Sequence, residues 1–209
     1  MATTKRFHKF YKVQVKGDDT FEPVEYKQLS EHSSFCSSCG TPRKGISQLP
    51  DIAVKKIYKR CAIYGISHFR AVPVDAISNH LLNILSEFIN VSDYLMLGNL
   101  YDSNNNLVEE YRTFLPRYYL LVRGSTFYER KCEECNTRIY NYYRDPYLPL
   151  SMNDCPIPLF GNLGAGFVVS TEIGLHLKSL KLPCLSIWPL KIHKELPQNV
   201  NIPLYNTFF

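Results

Sequence analysis

Residues 75–101 read DAISNHLLNILSEFINVSDYLMLGNLY, and they indicate the fold class. Apolar residues recur at helical spacing in the first half of this segment, and Asp75 precedes them as the predicted N-cap. Residues 94–101 then have the pattern of a strand. A helix between strands predicts an α+β protein with one helix face in the core. The apolar positions of the predicted helix are Ile77, Leu81, Leu82, Leu85 and Phe88.

Strands are predicted on both sides of this segment. Residues 10–15 alternate apolar or aromatic side chains with Lys and Gln, which is typical of a half-buried strand. The run DSNNN at 102–106 predicts a turn that leads into a return strand. Arg123-Gly124-Ser125 predicts the turn of a second hairpin. The predicted strands outside 94–101 are residues 10–15, 63–74, 107–114, 118–122, 126–130 and 139–143.

The end of the chain repeats the strand-helix-strand pattern. Residues 167–169 are strand-like, Ser170 begins a predicted helix, and residues 184–188 form the strand that follows. A duplication predicts that both helices are buried on one face and lie equivalently against their strands. Coincidence is the alternative, because any two amphipathic helices share this spacing. The matching triplets are Ile77, Leu81 and Ile84, and Ile173, Leu177 and Leu180.

Two pairs of cysteines have the spacing of metal ligands, in CSSCG at 36–40 and CEECN at 132–136. A two-residue gap lets both thiolates of one turn reach an ion at about 2.3 Å, and two such turns complete a tetrahedral site. A redox motif is the alternative for a single pair, but the βαβ context of such motifs is missing. We therefore predict a structural zinc site of four thiolates. Its ligands are Cys36, Cys39, Cys132 and Cys135.

The remaining motifs do not predict an enzyme. Four protein thiolates leave no open position for water on zinc, so the predicted site is architectural. The glycines of residues 161–166 depart from a dinucleotide-binding loop and predict a turn. An enzyme that uses Cys155, or an unrecognised set of His and carboxylates, is an alternative. The cysteines outside the two pairs are predicted to be core residues: Cys61, Cys155 and Cys184.

Length and composition are those of a globular protein, with 209 residues, 45% of them hydrophobic and 21% charged. We predict one zinc-stabilised domain over residues 1–209, which could contain two similar sub-lobes at about 1–130 and 131–209. No apolar run reaches the roughly 18 residues of a membrane span, and no signal peptide is visible. Paired cysteines in a chain without an export signal favour a reducing compartment, so we predict a cytoplasmic protein that does not bind membranes.

Charge and aromatic residues suggest binding surfaces. The net charge of +5 comes mainly from the first sixty residues, which could attract nucleic acid or an acidic protein, although most Lys and Arg are simply solvated. Tyr and Arg crowd around the second cysteine pair, and both are enriched at protein interfaces and stack on bases. The alternative is strands with an aromatic core face and a charged solvent face. The predicted partner-binding residues are Tyr128, Arg130, Arg138, Tyr140, Tyr142 and Arg144.

The layout of the chain resembles the double-CxxCG motif family of bacterial polymorphic-toxin immunity proteins. The resemblance includes both cysteine pairs and covers most of the chain, although Asn136 stands where the second motif of that family has glycine. The other matching segments are Phe10-Tyr11, Leu159-Phe160, 168–172, Leu177, Leu180 and 187–189.

This resemblance implies a cytoplasmic, non-catalytic protein that binds and neutralises a cognate protein toxin. It brings no catalytic residues with it. The positive net charge favours a partner whose contact face is acidic or neutral, while the acidic residues Glu129, Glu133 and Glu134 could serve a basic one. A zinc-ribbon protein that binds nucleic acid is the alternative function, and the basic N-terminal third favours it.

Overall fold

The described part of the chain is mixed α+β, mostly strands with few helices. The computed structural model describes residues 10–16, 20–22, 24, 35–38, 49–66, 74–120, 128–136, 138–141, 147–149, 156–161, 166–193 and 205–207.

The helices and strands are numbered in chain order. The helices are α1 (Asn79–Ser86), α2 (Val91–Tyr94) and α3 (Thr171–Leu180). The strands are β1 (Phe10–Val15), β2 (Thr20–Phe21), β3 (Ile52–Ala53), β4 (Ile63–Ile66), β5 (Asp75–Ser78), β6 (Leu95–Tyr101), β7 (Leu107–Pro116), β8 (Tyr118–Leu120), β9 (Tyr128–Lys131), β10 (Arg138–Asn141), β11 (Tyr147–Pro149), β12 (Leu159–Gly161), β13 (Gly166–Ser170), β14 (Leu185–Pro189), β15 (Lys191–His193) and β16 (Tyr205–Thr207).

Two larger sheets form the body of the described structure. The terminal sheet has the order β14-β1-β13-β12-β8-β16 and combines strands from both ends of the chain. The central sheet has the order β2-β4-β5-β7-β6-β3. β1 and β8 precede residue 130 in the chain, but they belong to the terminal sheet together with strands that follow it. The chain is therefore not divided between the two sheets at residue 130. Two further pairs, β9 with β10 and β11 with β15, lie outside these sheets.

The turn chemistry of residues 102–106 explains the longest hairpin, β6–β7, which confirms the predicted return strand. The Asp102 carboxylate accepts hydrogen bonds from the backbone of Asn104 and Asn106, both at 2.8 Å. Asn105 has a positive φ of 63°, which Asn tolerates better than most residues. The local sequence therefore closes this turn, and β7 continues two residues beyond the predicted end.

The predicted N-cap at Asp75 is wrong. Asp75 is buried within β5, and the strand continues to Ser78 because it is paired on both sides, with β4 and β7. Ser78 is the N-cap, and its hydroxyl accepts a hydrogen bond from the Leu81 amide at 3.2 Å. Ile77 therefore lies on a strand and not on the helix. Tertiary pairing has moved the helix start by three residues.

Two strand-helix-strand units share one topology. In the first unit, β5 leads through α1 and α2 to β6, and β7 lies between them, antiparallel to both. In the second unit, β13 leads through α3 to β14, and β1 lies between them, antiparallel to both. The outer strands of each unit are therefore parallel to each other, which is a split βαβ arrangement. The preceding strands, β4 and β12, pair antiparallel with β5 and β13.

The two units can be aligned in sequence at their helix caps, Ser78 and Ser170, and equivalent residues then occupy equivalent positions in the strand pairing. Ser78 lies opposite Tyr111 of β7, and Ser170 lies opposite Phe10 of β1. One residue before each cap, the partner strand supplies an apolar residue in both units. These pairs are Ile77 with Ile63, and Val169 with Leu159.

This alignment shows that the predicted equivalence of residues in the two helices is wrong by one helical turn. Leu81 and Leu85 are buried three and seven residues after the first cap, as Ile173 and Leu177 are after the second. The predicted partner of Ile84, Leu180, is instead 42% exposed. The apolar spacing indicated two similar helices, but it could not show which turn of one matches which turn of the other.

A core cluster joins the two units. It contains buried residues from both helices and both sheets, including Ile77, Leu81, Phe114, Phe167 and Ile173. The rings of Phe114 and Phe167 meet edge to face with centroids 6.0 Å apart. The units therefore bury their apolar faces against each other rather than in separate cores.

One polar contact crosses this core. The amide of Gly166 donates a hydrogen bond of 2.9 Å to the carboxylate of Asp75. Gly166 has a φ of 119°, and a Cβ at this position would lie 2.1 Å from the backbone oxygen of Val13. Glycine is required here because both the backbone conformation and the close approach of β1 exclude a side chain.

The predicted hairpin of residues 118–130 is wrong in its pairing. β8 lies between β12 and β16, while β9 pairs with β10. Both edges of β8 are therefore occupied by other strands. The predicted turn at 123–125 lies outside the described residues.

Cys61 is a core residue as predicted, and Cys184 is partly buried against the same cluster, but the sequence did not predict that they are bonded to each other. They form a disulfide with a Cα–Cα distance of 5.2 Å across 123 residues, and this bond links the first unit to the second. The hydroxyl of Tyr111 donates to the Cys61 carbonyl at 2.8 Å, which fixes one side of the link. Cys155 lies outside the described residues. Among the described helices, none has the length and apolar character needed to cross a membrane.

Candidate metal centre

The second cysteine pair lies at the turn between β9 and β10. The amide of Asn136 donates to the Cys132 carbonyl at 2.9 Å and closes the turn. Asn136 has a φ of 56°, in the left-handed region where glycine is usual and Asn is the best tolerated substitute. This conformation explains why Asn136 can stand at the glycine position of a CxxCG motif.

The first cysteine pair is positioned by its apolar neighbour. Phe35 is 4% exposed and packs in a core cluster of the central sheet with residues such as Phe21 and Leu49. Cys36 follows directly and is buried against Cys132. Because Phe35 anchors the backbone at this point, the N-terminal segment reaches the turn between β9 and β10. Cys39 lies outside the described residues.

Three cysteines converge on one point. The sulfur atoms of Cys36, Cys132 and Cys135 all lie within 4.8 Å of one another, and the Cys36 and Cys132 sulfurs are 3.7 Å apart. Two thiolates bound to one tetrahedral zinc at about 2.3 Å would have sulfurs about 3.8 Å apart. The three side chains therefore have the geometry of a metal site, and together they could hold a metal ion.

A carboxylate clamp joins the two cysteine turns. Glu134 accepts hydrogen bonds from the hydroxyls of Ser37 at 2.6 Å and Ser38 at 2.7 Å, and from the Ser38 amide at 3.2 Å. These hydroxyl donors lower the pKa of Glu134 to about 2, since they stabilise the charged carboxylate. The residues between the cysteines of each pair thus hold the turns together around the sulfur atoms.

The chemistry of this donor set favours a soft or borderline metal ion. Thiolates select ions such as zinc over magnesium or calcium, which prefer oxygen ligands. Cys36 is 1% and Cys132 6% exposed, so a bound ion would lie largely out of solvent. This arrangement is suited to cross-linking two chain segments.

The predicted partner-binding residues are placed only in part. Tyr128 and Arg130 lie on β9, and Arg138 and Tyr140 lie on β10. The register sets Arg130 opposite Ile139, and Tyr140 opposite Glu129, so none of these four residues is paired directly with another. Tyr142 and Arg144 lie outside the described residues.

Sequence reasoning missed the role of the residues inside the cysteine motifs. Ser37, Ser38 and Glu134 form the clamp, and their only signal is polar side chains between paired cysteines. Glu134 was interpreted only as part of an acidic surface. The clamp depends on two turns that are far apart in sequence, so neither motif predicts it alone.

Comparison with known proteins does not place the chain in a family. No protein-family model, no curated protein and no solved structure matches it.

Proposed function

We propose that this chain is a non-catalytic, immunity-type protein that binds and neutralises a cognate protein toxin, and that a structural zinc ion stabilises it. The observation that carries the proposal is the 3.7 Å separation of the Cys36 and Cys132 sulfurs, which are 96 residues apart in the chain. Cys39 would supply the fourth thiolate. Such a site ties the N-terminal segment to the middle of the chain, in the form of a ribbon-like knuckle.

A structural role fits the site better than catalysis. With four thiolates, zinc has no open position for water or substrate. The Glu134 clamp also uses its acceptor oxygen on Ser37 and Ser38, which link the turns to each other. The residues around the cysteines therefore hold the cysteines in position. The function we assign to the protein surface is binding.

The resemblance to the double-CxxCG immunity family gains support from the fold. The matching segments outside the cysteine pairs lie on β1, β12, β13, β14 and α3, and the four strands belong to one sheet. Tyr11, for example, lies opposite Val169 on one side and Pro189 on the other. Segments that are far apart in sequence thus form one structural unit, as expected if they define a family layout.

The charge pattern favours a protein partner over nucleic acid. Two lysines of the basic N-terminal third pair with carboxylates: Lys55 contacts Glu22 at 2.6 Å, and Lys59 pairs with Glu110. Paired lysines contribute less to a phosphate-binding surface, because each phosphate contact would compete with the existing partner.

Metal analysis tests the zinc site. We expect about one zinc per purified chain, and loss of bound zinc in Cys36→Ser and Cys132→Ser. Cys155→Ser is the matched control and should keep its zinc. If the ligand variants do not fold, the wild-type chain still decides the point: folded protein without metal would contradict the zinc site.

Co-expression tests the toxin-binding function. A protein toxin encoded beside this chain should be neutralised in growing cells, and the two proteins should elute as one complex in size-exclusion chromatography. No rescue of growth together with no complex would refute the proposal. An affinity for mixed DNA or RNA that falls steeply with salt would then favour the nucleic-acid alternative.

A further inference from the structure

The chain leaves β3 through a basic segment, residues 55–60, that reads KKIYKR. Four of its residues are Lys or Arg. Every side chain in it is exposed except Ile57, which is partly buried and packs against the core of the central sheet. The basic segment therefore presents cations to solvent while Ile57 holds it against the sheet.

The backbone of the basic segment is fixed at both ends. At its start, the amide of Lys55 donates to the carbonyl of Glu22 at 2.8 Å. This bond joins the chain that follows β3 to the chain that follows β2, and β2 and β3 are the first and last strands of the central sheet. At its end, the hydroxyl of buried Tyr64 accepts hydrogen bonds from the amides of Arg60 at 3.2 Å and Cys61 at 3.1 Å. A fixed backbone loses little conformational entropy on binding, so the segment is preorganised for contact.

The lysines of the basic segment differ in their partners. Lys55 pairs with Glu22 at 2.6 Å. Lys59 pairs with Glu110. Lys56 is exposed like the other two lysines, but it forms no ion pair with a described residue. A carboxylate of another protein could therefore pair with Lys56 without competing with an existing ion pair.

Tyr58 presents an aromatic ring in the middle of the basic segment. It is 39% exposed. The ammonium of Lys56 lies 5.0 Å from the centre of this ring, and the guanidinium of Arg60 lies 6.0 Å from it. Both distances are in the range of cation–π attraction, which orients the ring beside the two charges. Tyr is one of the residues most enriched at the energetic centres of protein interfaces.

Exposed apolar side chains lie on the strands beside the start of the basic segment. Val24 is 37% and Leu107 51% exposed. The Val24 amide donates to the carbonyl of Ala53 at 2.8 Å. Leu107 lies opposite Tyr101, whose carbonyl accepts from the Val54 amide at 2.9 Å. The surface therefore combines positive charge with an aromatic ring and aliphatic groups, a mixture more typical of protein interfaces than of the more polar interfaces with nucleic acid.

We propose that the basic segment binds an acidic face of the protein partner, with a carboxylate on Lys56 and an apolar side chain beside it on the Tyr58 ring. This inference rests on the proposed function in taking the partner to be a protein. A nucleic acid fits the surface less well, because Glu22 and Glu110 stand among the cations and would repel its evenly spaced phosphates. The contact site lies beside the central sheet and not on β9 and β10.

Titration of the full-length chain with a short, end-blocked peptide of alternating glutamate and leucine tests this surface directly. We expect weak binding that falls with salt and shifts the amide NMR signals of Lys56 and Tyr58, because the attraction is between exposed charges. The same peptide with glutamine in place of glutamate should not bind. Equal shifts with both peptides, or no shift in the basic segment, would overturn the proposal. Tighter binding of a thymidine oligonucleotide to the same residues would overturn it in favour of nucleic acid.

Variants separate the charge from the ring. Lys56→Gln should weaken binding of the acidic peptide about two- to fivefold, the usual worth of an exposed ion pair. Tyr58→Ala should weaken it about tenfold, as for an aromatic residue at the centre of a contact, while Tyr58→Phe keeps the ring and should bind like the wild type. Lys178→Gln removes an exposed lysine on α3 and is the control that should change nothing. A Lys56→Gln chain that binds the peptide as tightly as the wild type would contradict the assignment.

The same variants distinguish this inference from the proposed function. If a toxin forms a complex that neither Lys56→Gln nor Tyr58→Ala weakens, the basic segment is not the contact site and the immunity function stands. If no toxin binds but the acidic peptide binds the segment and requires Lys56, the immunity function fails and the acidic-partner surface stands.

Discussion

The two strand-helix-strand units have the same strand order, but the chain completes them differently. In the first unit, the strand between the outer two, β7, follows β6 through a five-residue turn at 102–106. In the second unit, the equivalent strand, β1, comes from the other end of the chain. The first unit is therefore encoded by one continuous segment. The second forms only when β1 meets strands from the other end of the chain. Its contacts are therefore long-range, and closing the loop between them costs conformational entropy.

The units also differ where they face each other. Asp75 of the first unit occupies the register position of Phe167 in the second. Phe167 fills the shared core, while Asp75 places a carboxylate there and bonds with Gly166. A similar fold therefore carries an apolar residue in one unit and a titratable one in the other. Comparison of the units predicts which substitutions are severe and which are mild.

The largest effect is expected from β1, the strand that the second unit takes from the chain start. Val13 has no exposed surface and lies between Phe167 of β13 and Ile187 of β14. Val13→Asp buries an unpaired carboxyl group in the shared core and should cost about 4 kcal/mol or more of unfolding free energy. That loss is a large share of the roughly 5–15 kcal/mol by which most domains are stable. Urea unfolding followed by circular dichroism measures it.

Gln14→Asp is the control for this substitution, because Gln14 is half-buried on the same strand and the new charge is the same. We expect a much smaller loss of stability from it. Equal stability of Val13→Asp and the wild type would show that β1 is not an integral strand of the second unit.

This comparison also explains which parts of the fold the sequence predicts. The strand at 10–15, the β6–β7 hairpin and the strand-helix-strand pattern at both places follow from local periodicity and turn residues. The partners of β8 and the insertion of β1 between β13 and β14 depend on contacts between distant segments. The helix start at Ser78 was missed because strand pairing on both sides of Asp75 outweighed its capping preference.

The candidate site shows the same limit. The spacing of the cysteine pairs predicted that distant turns converge, and three of the four sulfurs do so among the described residues. The Glu134 clamp and the Cys61–Cys184 disulfide could not be derived from spacing. Both depend on how distant chain segments are brought together. A single cysteine in the sequence also looks the same whether or not it forms a disulfide.

The second largest effect concerns pH, through Asp75. Burial raises the pKa of this carboxyl to about 7, while the unfolded chain titrates near the ordinary value of 3.8. Between these pH values the folded protein holds a proton that the unfolded chain does not. This group therefore makes the fold less stable as pH rises from about 4 to 7, and the loss is constant above that range.

Asp75→Asn removes this titration and keeps an oxygen that can accept from Gly166. We expect urea midpoints at pH 5 and pH 8 to differ less in the variant than in the wild type, and the variant to be the more stable of the two at pH 8. The assignment would be contradicted if the wild type were more stable at pH 8 than at pH 5 and this gain were smaller in Asp75→Asn.

A smaller effect is expected at Gly174, which lets α3 approach β1. A Cβ at this position would lie 2.5 Å from the Cβ of Tyr11, an atom next to the backbone that cannot move away easily. At the matching position of α1 stands Leu82, so the second helix lies closer to its sheet than such a side chain would allow. Gly174→Ala should therefore cost about 1–3 kcal/mol, although alanine favours helices.

Leu175→Ala is the control for Gly174→Ala, since Leu175 is 50% exposed on the same helix. It should change the unfolding free energy by less than about 0.5 kcal/mol. A Gly174→Ala variant that melts higher than the wild type would mean that helix propensity outweighs the contact with Tyr11.

The smallest effect compares the two cap residues directly. Ser78 accepts from the Leu81 amide, so Ser78→Ala should cost about 1 kcal/mol, the usual worth of an N-cap. Ser170 makes no capping bond, and its buried hydroxyl has no partner among the described residues. Ser170→Ala should therefore be neutral or slightly stabilising, because it removes an unsatisfied polar group without loss of a hydrogen bond. Unfolding free energies of both variants test this difference. An equal loss in both would show that the Ser170 hydroxyl caps α3 in solution, as the Ser78 hydroxyl caps α1.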